Sequence, residues 1–116
     1  MTRKHTSATD ASTPVNVVLV TLDNHVNGAI ERAEKRLICD LPGIHFKSFA
    51  ATEWEADPSG LEGCRAAIAS GDIIIVTMLF MENHIKAVSD ALAARRDHCD
   101  AMVCCMSAPE IMQFTR

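Results

Sequence analysis

Three short segments of the chain concentrate side chains that can hold a ligand or move a proton, namely 21–28, 77–84 and 105–108. They carry two histidines, two carboxylates and several amides and hydroxyls, the kinds of group that orient the polar edge of a bound molecule. Methionine and phenylalanine side chains beside them suit a flat apolar ligand. The candidate binding residues in these segments are Asp23, Asn24, His25, Met78, Phe80, Glu82, His84 and Ser107.

Each of these residues also has a simpler structural interpretation. Asp23, Asn24 and Ser107 are residue types that cap helices, and Glu82 is a favourable charge at a helix N-terminus. The two histidines do not stand at the H-x-x-x-H or H-x-x-E spacing of a zinc site. The spacing therefore predicts neither a catalytic residue nor a metal ligand.

The elements that must position these segments are four predicted strands. Apolar and β-branched runs cover 15–22, 44–51, 73–77 and 101–106. They recur about every 28 to 29 residues, the length of one strand–helix unit. This period predicts an α/β fold: an open, mostly parallel, doubly wound sheet of the Rossmann or flavodoxin type, with strand order 2-1-3-4. Because ligands bind beyond the carboxyl ends of parallel strands, the three segments are expected to line one crevice.

The third strand is the expected centre of the sheet. All five residues from Ile73 to Thr77 are β-branched, and the run shows no polar alternation. Such a strand is typical of a parallel sheet that is covered by helices on both faces. His45 and Lys47 make the second strand more polar, which favours a position nearer the sheet edge.

Helices are expected between the strands, and their ends carry further signals. The first helix has one apolar stripe that should lie against the sheet; its members are Val26, Ala29, Ile30, Ala33 and Leu37. Asp57-Pro58 should begin the second helix, and Gly71 should end it in a left-handed conformation. The segment from Ser107 to Glu110 has the form of a capping box that opens a fourth helix.

Composition excludes several classes of protein. The net charge is −4 and the basic residues are scattered, which does not indicate a nucleic-acid partner. No apolar run is long enough to predict a transmembrane segment. Five cysteines without a C-x-x-C pair favour a reducing cytoplasm over a disulfide framework. Cys104 and Cys105 are adjacent on a predicted strand, so they point to opposite faces and are interpreted as structural thiols.

The expected domain organisation is a polar disordered tail over 1–14 and one α/β domain over 15–116. Only six residues follow the predicted capping motif of the fourth helix. Such a short helix cannot cover the last strand, so the domain is expected to be truncated at its C-terminal end, as the beginning of a longer protein.

Four stretches in register carry a family resemblance: 20–25, 72–85, 95–103 and 106–110. They resemble the N-terminal region of the large, porphyrin-binding H subunit of magnesium chelatase, whose wider relatives are the cobaltochelatase large subunits. The resemblance implies ATP-dependent insertion of Mg²⁺ into protoporphyrin IX in (bacterio)chlorophyll biosynthesis. It implies as partners the remainder of the H subunit, an AAA+ ATPase subunit and a third subunit. The family's chelation residues are expected downstream, so the eight candidates above are porphyrin-binding candidates by position only.

Two alternatives remain open. Asp23-x-His25-x-x-Gly28 resembles the D-x-H-x-x-G element of cobalamin-binding flavodoxin-like modules, in which the histidine ligates cobalt. Thr77 and Leu79 resemble the later S-x-L element, whereas Cys104-Cys105 stands where a Gly-Gly pair is expected. The third hypothesis is a non-catalytic interaction module, which an exposed apolar surface near the fourth strand would favour.

Overall fold

The computed structural model describes residues 13–25 and 27–116. Four parallel strands form one sheet in the order β2-β1-β3-β4. The strands are β1 (Val15–Thr21), β2 (Ile44–Ala50), β3 (Ile73–Thr77) and β4 (Ala101–Cys105). This order confirms the predicted α/β class and the predicted 2-1-3-4 arrangement. The tail predicted over 1–14 lies almost entirely outside the described residues.

Four helices and one short turn of 3-10 helix connect and follow the strands. They are α1 (Asn27–Asp40), the 3-10 turn Ala51–Glu53, α2 (Pro58–Ser70), α3 (Glu82–Arg95) and α4 (Pro109–Met112). The helix α2 begins at Pro58 because proline presets the backbone of a first helical position and loses no hydrogen bond there. Among the described residues no helix is long and apolar enough to cross a membrane.

The core lies between one face of the sheet and the helices α2 and α3. Side chains of β1, β3 and β4 that point to this face are almost completely buried; they are Val18, Val20, Ile74, Val76, Met102 and Cys104. They pack against Cys64 and Ile68 of α2 and against Val88 and Leu92 of α3. The spacing of these helical residues is the three-to-four residue repeat of an amphipathic helix laid on a sheet.

The opposite face of the sheet corrects two predictions. Ile73 and Ile75 of the central strand are only half-buried, so β3 is not covered on both sides. The helix α1 contains no buried residue and packs mainly on β2. The apolar stripe that the sequence predicts for α1 therefore does not lie across the sheet. One residue of that stripe, Val26, lies outside the described residues. The sequence carries the apolar stripe, but only the tertiary structure decides what lies against it.

The end of α2 corrects a third prediction. Gly71 has φ −72° and ψ 141°, which is extended backbone and not the left-handed cap. Glycine is required there by close packing instead. A β-carbon at this position would lie 3.0 Å from Ile74 Cγ1 and 3.0 Å from Val18 Cγ2.

The amino end of the sheet is held by buried polar groups. The Asp72 carboxylate accepts a hydrogen bond from the Asn16 N–H at 2.8 Å, and Arg95 Nε donates to the Gly71 carbonyl at 3.0 Å. Both side chains are buried. These bonds satisfy backbone groups between β1, β3 and α3, so this cluster has a structural explanation.

Candidate functional site

The carboxyl edge of the sheet is organised by the loops that follow β3 and β4. The Met78 N–H donates to the Met106 carbonyl at 2.9 Å, and the Leu79 N–H donates to Ser107 Oγ at 3.1 Å. The Ala108 N–H then donates to the Leu79 carbonyl at 2.9 Å. Three consecutive hydrogen bonds thus join the two predicted segments 77–84 and 105–108 into one unit.

Both loops turn through a strained residue. Met78 has φ 60° and Met106 has φ 47°, and these are the positive φ angles among the described residues. The left-handed conformation costs a side-chain-bearing residue about 1–3 kcal/mol, and such strain collects at ligand sites and switches. The strain is sustained here by the hydrogen bonds between the loops.

The strained turns place large apolar side chains in solvent. Met106 is 70% exposed, Phe80 is 61% exposed and Met81 is 57% exposed. We call these three residues the apolar rim. A group of exposed large apolar side chains on one edge is typical of a surface that meets a ligand or another protein.

Ser107 corrects the predicted capping box. The residue that precedes α4 is Ala108, and no side chain caps this helix. The Ser107 hydroxyl instead accepts from Leu79 and donates to the Cys105 carbonyl at 3.0 Å. Ser107 thereby holds the β3 and β4 loops together.

A pocket of about 430 Å³ lies beside the apolar rim, between the turn after β2 and the beginning of α3. Its lining includes Trp54, Glu55, Met81, Asn83 and His84. The His84 ring meets the Trp54 ring edge to face, with 6.0 Å between the ring centroids. Aromatic walls with a few polar groups are the usual lining of a small-molecule site.

His84 brings an unsatisfied polar atom to this pocket. Its Nδ1 is buried and has no hydrogen-bond partner among the described residues. A buried nitrogen without a partner costs about 1–3 kcal/mol, which a polar group of a ligand would recover. The neighbouring backbone adds further polar groups without a side-chain partner, because Met81, the N-cap of α3, makes no side-chain capping bond. The first turn of α3 therefore presents free N–H groups and the positive end of the helix dipole.

A second pocket of about 400 Å³ lies on the other side of the first turn of α3. Phe80, Glu82, Lys86 and Glu110 are among its lining residues. Lys86 Nζ lies 2.9 Å from Glu82 Oε1, as expected for an i,i+4 ion pair on a helix. Both side chains are exposed, so the pair adds little stability. Glu82 is thus a solvated helix charge at the margin of this pocket.

The β1 loop holds the remaining candidates. His25 Nδ1 is in direct contact with Asp23 Oδ1, and the His25 N–H donates to the same oxygen at 3.1 Å. The side-chain hydrogen bond from His25 lowers the pKa of Asp23 below its usual value. Asn24 is exposed, and its carbonyl accepts the Asn27 N–H at 3.1 Å. The structure thus joins Asp23 to His25, and it joins the loops of Met78 and Ser107 to each other.

Two features of this edge have no counterpart among the candidates from the sequence. Trp54 is buried like an ordinary packing residue, yet it also forms the wall against which His84 stands. Thr21 is buried and its hydroxyl has no hydrogen-bond partner among the described residues. The sequence points to Thr21 in only one way, as a polar residue at the end of an apolar strand.

The buried thiols are unsuited to nucleophilic chemistry at neutral pH. Burial raises the pKa of Cys64 to about 12 and that of Cys104 to about 11. Cys105, the next residue on β4, is exposed on the opposite face, as strand alternation predicts. Within 13–25 and 27–116, no group of three or more His, Cys, Asp or Glu residues is placed to hold a metal ion.

Comparison with known proteins assigns the family. The model of the family described as "Domain of unknown function (DUF3479)" matches residues 16–116. The chain is 38% identical over 101 residues to the magnesium-chelatase H subunit of Rhodobacter capsulatus, a match that covers 87% of this chain and 8% of that protein. It is 40% identical over 107 residues to the magnesium-chelatase H subunit of Cereibacter sphaeroides, covering 91% of this chain and 9% of that protein. The chain therefore spans less than a tenth of the curated relatives it matches, it corresponds to a small N-terminal part of them, and it belongs to the DUF3479 family.

Proposed function

We propose that this chain is the N-terminal domain of the porphyrin-binding H subunit of a magnesium chelatase. That enzyme is a ligase that inserts Mg²⁺ into protoporphyrin IX at the expense of ATP, in the (bacterio)chlorophyll biosynthesis of photosynthetic cells. The observation that carries the proposal is the 40% identity to a chelatase H subunit over 91% of the chain. The partners are the remainder of the H subunit, the AAA+ ATPase subunit and the third chelatase subunit, and the compartment is the cytoplasm.

The domain has a binding role in this proposal, while the insertion chemistry belongs to the rest of the complex. Mg²⁺ gives up its water reluctantly, so insertion needs ligands that replace the water while the pyrrole nitrogens lose protons. The eight candidate residues include no trio that suits this task, and Mg²⁺ is the substrate of the full enzyme rather than a resident ion of this domain.

The apolar rim is the proposed porphyrin contact. A porphyrin is a flat apolar ring with carboxylates on one edge. Phe80, Met81 and Met106 offer an exposed apolar surface for the ring. The first turn of α3 begins at Glu82, directly after Met81, and offers backbone N–H groups for a carboxylate. Asp23 and His25 on the β1 loop are the remaining polar candidates for this contact.

The assignment to the chelatase is tested with a chimera. The matched N-terminal region of the Cereibacter sphaeroides H subunit is replaced by this chain, and Mg²⁺ insertion is followed by fluorescence with the two partner subunits. We expect the chimera to retain at least a tenth of the parental rate, and a deletion variant that lacks the region to fall well below it. A chimera no more active than that deletion would refute the assignment.

The porphyrin contact is tested by titrating the chain with protoporphyrin IX and following absorbance. We expect Phe80→Ser and Met106→Ser each to weaken binding about five- to tenfold, since each removes most of one apolar contact. Met112→Ser is the matched control, because Met112 is an exposed methionine of α4 that is not a member of the rim. Equal binding by all three variants would mean that the rim does not meet the porphyrin.

One observation favours a second function, that of a cobalamin-binding module. A histidine that ligates a metal through one ring nitrogen commonly bonds a carboxylate through the other, and His25 has this arrangement with Asp23. Titration with hydroxocobalamin separates the two proposals. A spectral shift that disappears in His25→Ala and persists in Phe80→Ser would support the cobalamin module over the chelatase domain.

A further inference from the structure

The sheet has one face that the described part of the chain covers only in part. On the core side, the strand residues are at most a few per cent exposed. On the other side, Val17 and Thr21 of β1 are buried. Val103 of β4 is 42% exposed and Cys105 is exposed, while Leu19, Ile73 and Ile75 are only half-buried. We call these last five residues the open sheet face. Parallel sheets normally have helices on both faces, because their strands are apolar on both sides.

The helix α1 borders the open sheet face without closing it. It packs mainly on β2, at the far edge of the sheet. Leu37 and Ile38 on α1 are 36% and 39% exposed. We call the open sheet face, with the border that α1 forms beside it, the trough.

The dimensions of the trough fit one helix. Neighbouring strands lie about 4.8 Å apart, so β1, β3 and β4 span about 10 Å, close to the diameter of an α-helix with its side chains. Five-residue strands are about 16 Å long, which a helix of about three turns covers. The outer edge of β4 already takes part in hydrogen bonds with the residues that follow α4. The Arg116 N–H already donates to the Met102 carbonyl at 2.7 Å, and Thr115 Oγ1 bonds the Cys104 N–H and carbonyl at 2.9 Å.

The open sheet face also restricts the chemistry of its occupant. Its side chains are aliphatic apart from one thiol, so an occupant that buries a charge there would have no partner for it. The curated relatives are more than ten times longer than the matched segment, since that segment is 8–9% of their length. In those proteins this region is accompanied by a large amount of further polypeptide.

We propose that the open sheet face is the docking site for an amphipathic helix of about three turns. This helix comes from the polypeptide that accompanies the domain in the longer relatives, and it presents aliphatic side chains to the open sheet face. It completes the second layer of the sheet beside α1. This inference concerns a different surface from the apolar rim and does not depend on porphyrin binding.

Two exposed cysteines allow a direct test. Cys105 lies on the open sheet face, and Cys39 lies on α1, turned about 200° around the helix axis from Leu37. Alkylation of each by N-ethylmaleimide is followed by peptide mass spectrometry in the free chain and in the chimera with the Cereibacter sphaeroides H subunit. We expect Cys105 to react at least tenfold more slowly in the chimera, and Cys39 to react at the same rate in both.

Substitutions in the chimera identify the contact. Val103→Asp places a charge in the trough and should restore at least half of the lost Cys105 reactivity. Met112→Asp is the matched control, since Met112 is also 42% exposed but lies on α4, and it should leave Cys105 protected. Circular dichroism of each variant chain checks that the fold is retained.

Three results would overturn the proposal. The first is an unchanged Cys105 rate in the chimera, and the second is equal slowing of Cys39 and Cys105. The third is slowing of Cys105 in the free chain as its own concentration rises, which would make a second copy the occupant. A chimera that inserts no Mg²⁺ but protects Cys105 would refute the chelatase assignment and leave the docking site standing.

Discussion

At the residue scale, this domain is shaped by a few positions whose backbone or packing tolerates little change. Gly71 lies between α2 and β3, where a β-carbon would be in tight contact with Val18 and Ile74. Met78 and Met106 keep a left-handed backbone despite their bulk. The first position serves the core, whereas the other two serve the exposed carboxyl edge.

Gly71→Ala should lower the free energy of unfolding by about 1–3 kcal/mol, because the new β-carbon overpacks Val18 and Ile74. Gly63→Ala is the matched control. Gly63 lies inside α2, where a new β-carbon would be 3.7 Å from the nearest atom, so the change should stabilise by up to about 1 kcal/mol. Urea denaturation measures both. Similar effects of the same sign would contradict the packing explanation of Gly71.

Met106→Gly should raise the free energy of unfolding by up to about 1 kcal/mol, because glycine adopts φ 47° without strain and little burial is lost. The same change should weaken protoporphyrin binding, since it removes part of the apolar rim. Met112→Gly, in helical backbone, should instead destabilise by about 1 kcal/mol. Loss of stability in Met106→Gly would show that the side chain, and not the backbone, determines this turn.

At the element scale, the site depends on two loops that are joined to each other. The bonds from Met78 to Met106 and from Leu79 to Ser107 make the carboxyl ends of β3 and β4 one unit. The β1 loop has its own local bond, between Asp23 and His25. The apolar rim thus lies on the joined loops that follow β3 and β4, whereas the polar Asp23–His25 pair lies on a separate loop.

Ser107→Ala should destabilise the chain by about 1–3 kcal/mol, because the Leu79 N–H is left buried without its acceptor. It should also weaken porphyrin binding, since the loops that present Phe80 and Met106 are no longer joined. The comparison is Ser89→Ala, which removes only a bond to the Ile85 carbonyl within α3. That change should cost less than about 0.5 kcal/mol. Equal costs for the two variants would argue against a connecting role for Ser107.

At the scale of the whole molecule, stability is distributed unequally between the two faces of the sheet. The face toward α2 and α3 contains the continuous core, with three buried thiols: Cys64, Cys99 and Cys104. The other face is half-covered, so the domain presents a site at its carboxyl edge and a trough on its open side. This asymmetry suits a domain that is one part of a larger assembly.

The buried thiols predict a loss of stability in alkaline solution. Burial raises the pKa of Cys64 to about 12 and of Cys104 to about 11, from an ordinary value of 9.0. Above pH 9 the unfolded chain releases these protons and the folded chain keeps them, so stability falls as pH rises. The decrease should approach about 1.4 kcal/mol per pH unit for each thiol, up to about pH 11. The decrease in the free energy of unfolding is measured from urea denaturation midpoints at pH 8, 9 and 10.

Cys64→Ala is the control for this prediction. It should be less stable than the parent at pH 8 because it leaves a cavity, and yet its stability should fall less steeply above pH 9, because one titrating thiol is gone. An identical pH slope for parent and variant would contradict the contribution of Cys64.

The sequence by itself determined the architecture of the sheet. Strand identity and the polar edge strand β2 follow from local patterns, because β-branched runs, polar residues and the length of a strand–helix unit are written in neighbouring residues. The strand order follows from the doubly wound topology that such units adopt. The family resemblance likewise rests on local motifs. The three predicted segments follow the carboxyl ends of β1, β3 and β4 for a related reason, since parallel strands must end on one edge.

The tertiary structure alone decided what those residues touch. The sequence around Ser107 is the same whether its hydroxyl caps a helix or joins two loops. The sequence around Gly71 is the same whether the glycine ends a helix or makes room for the core. An apolar stripe on α1 does not state which surface it meets, and a β-branched strand does not state whether both of its faces are covered. These features depend on contacts between residues far apart in the chain. Only the packed molecule shows that Trp54 meets His84, that Ser107 bonds to Leu79, and that one face of the central strand is open.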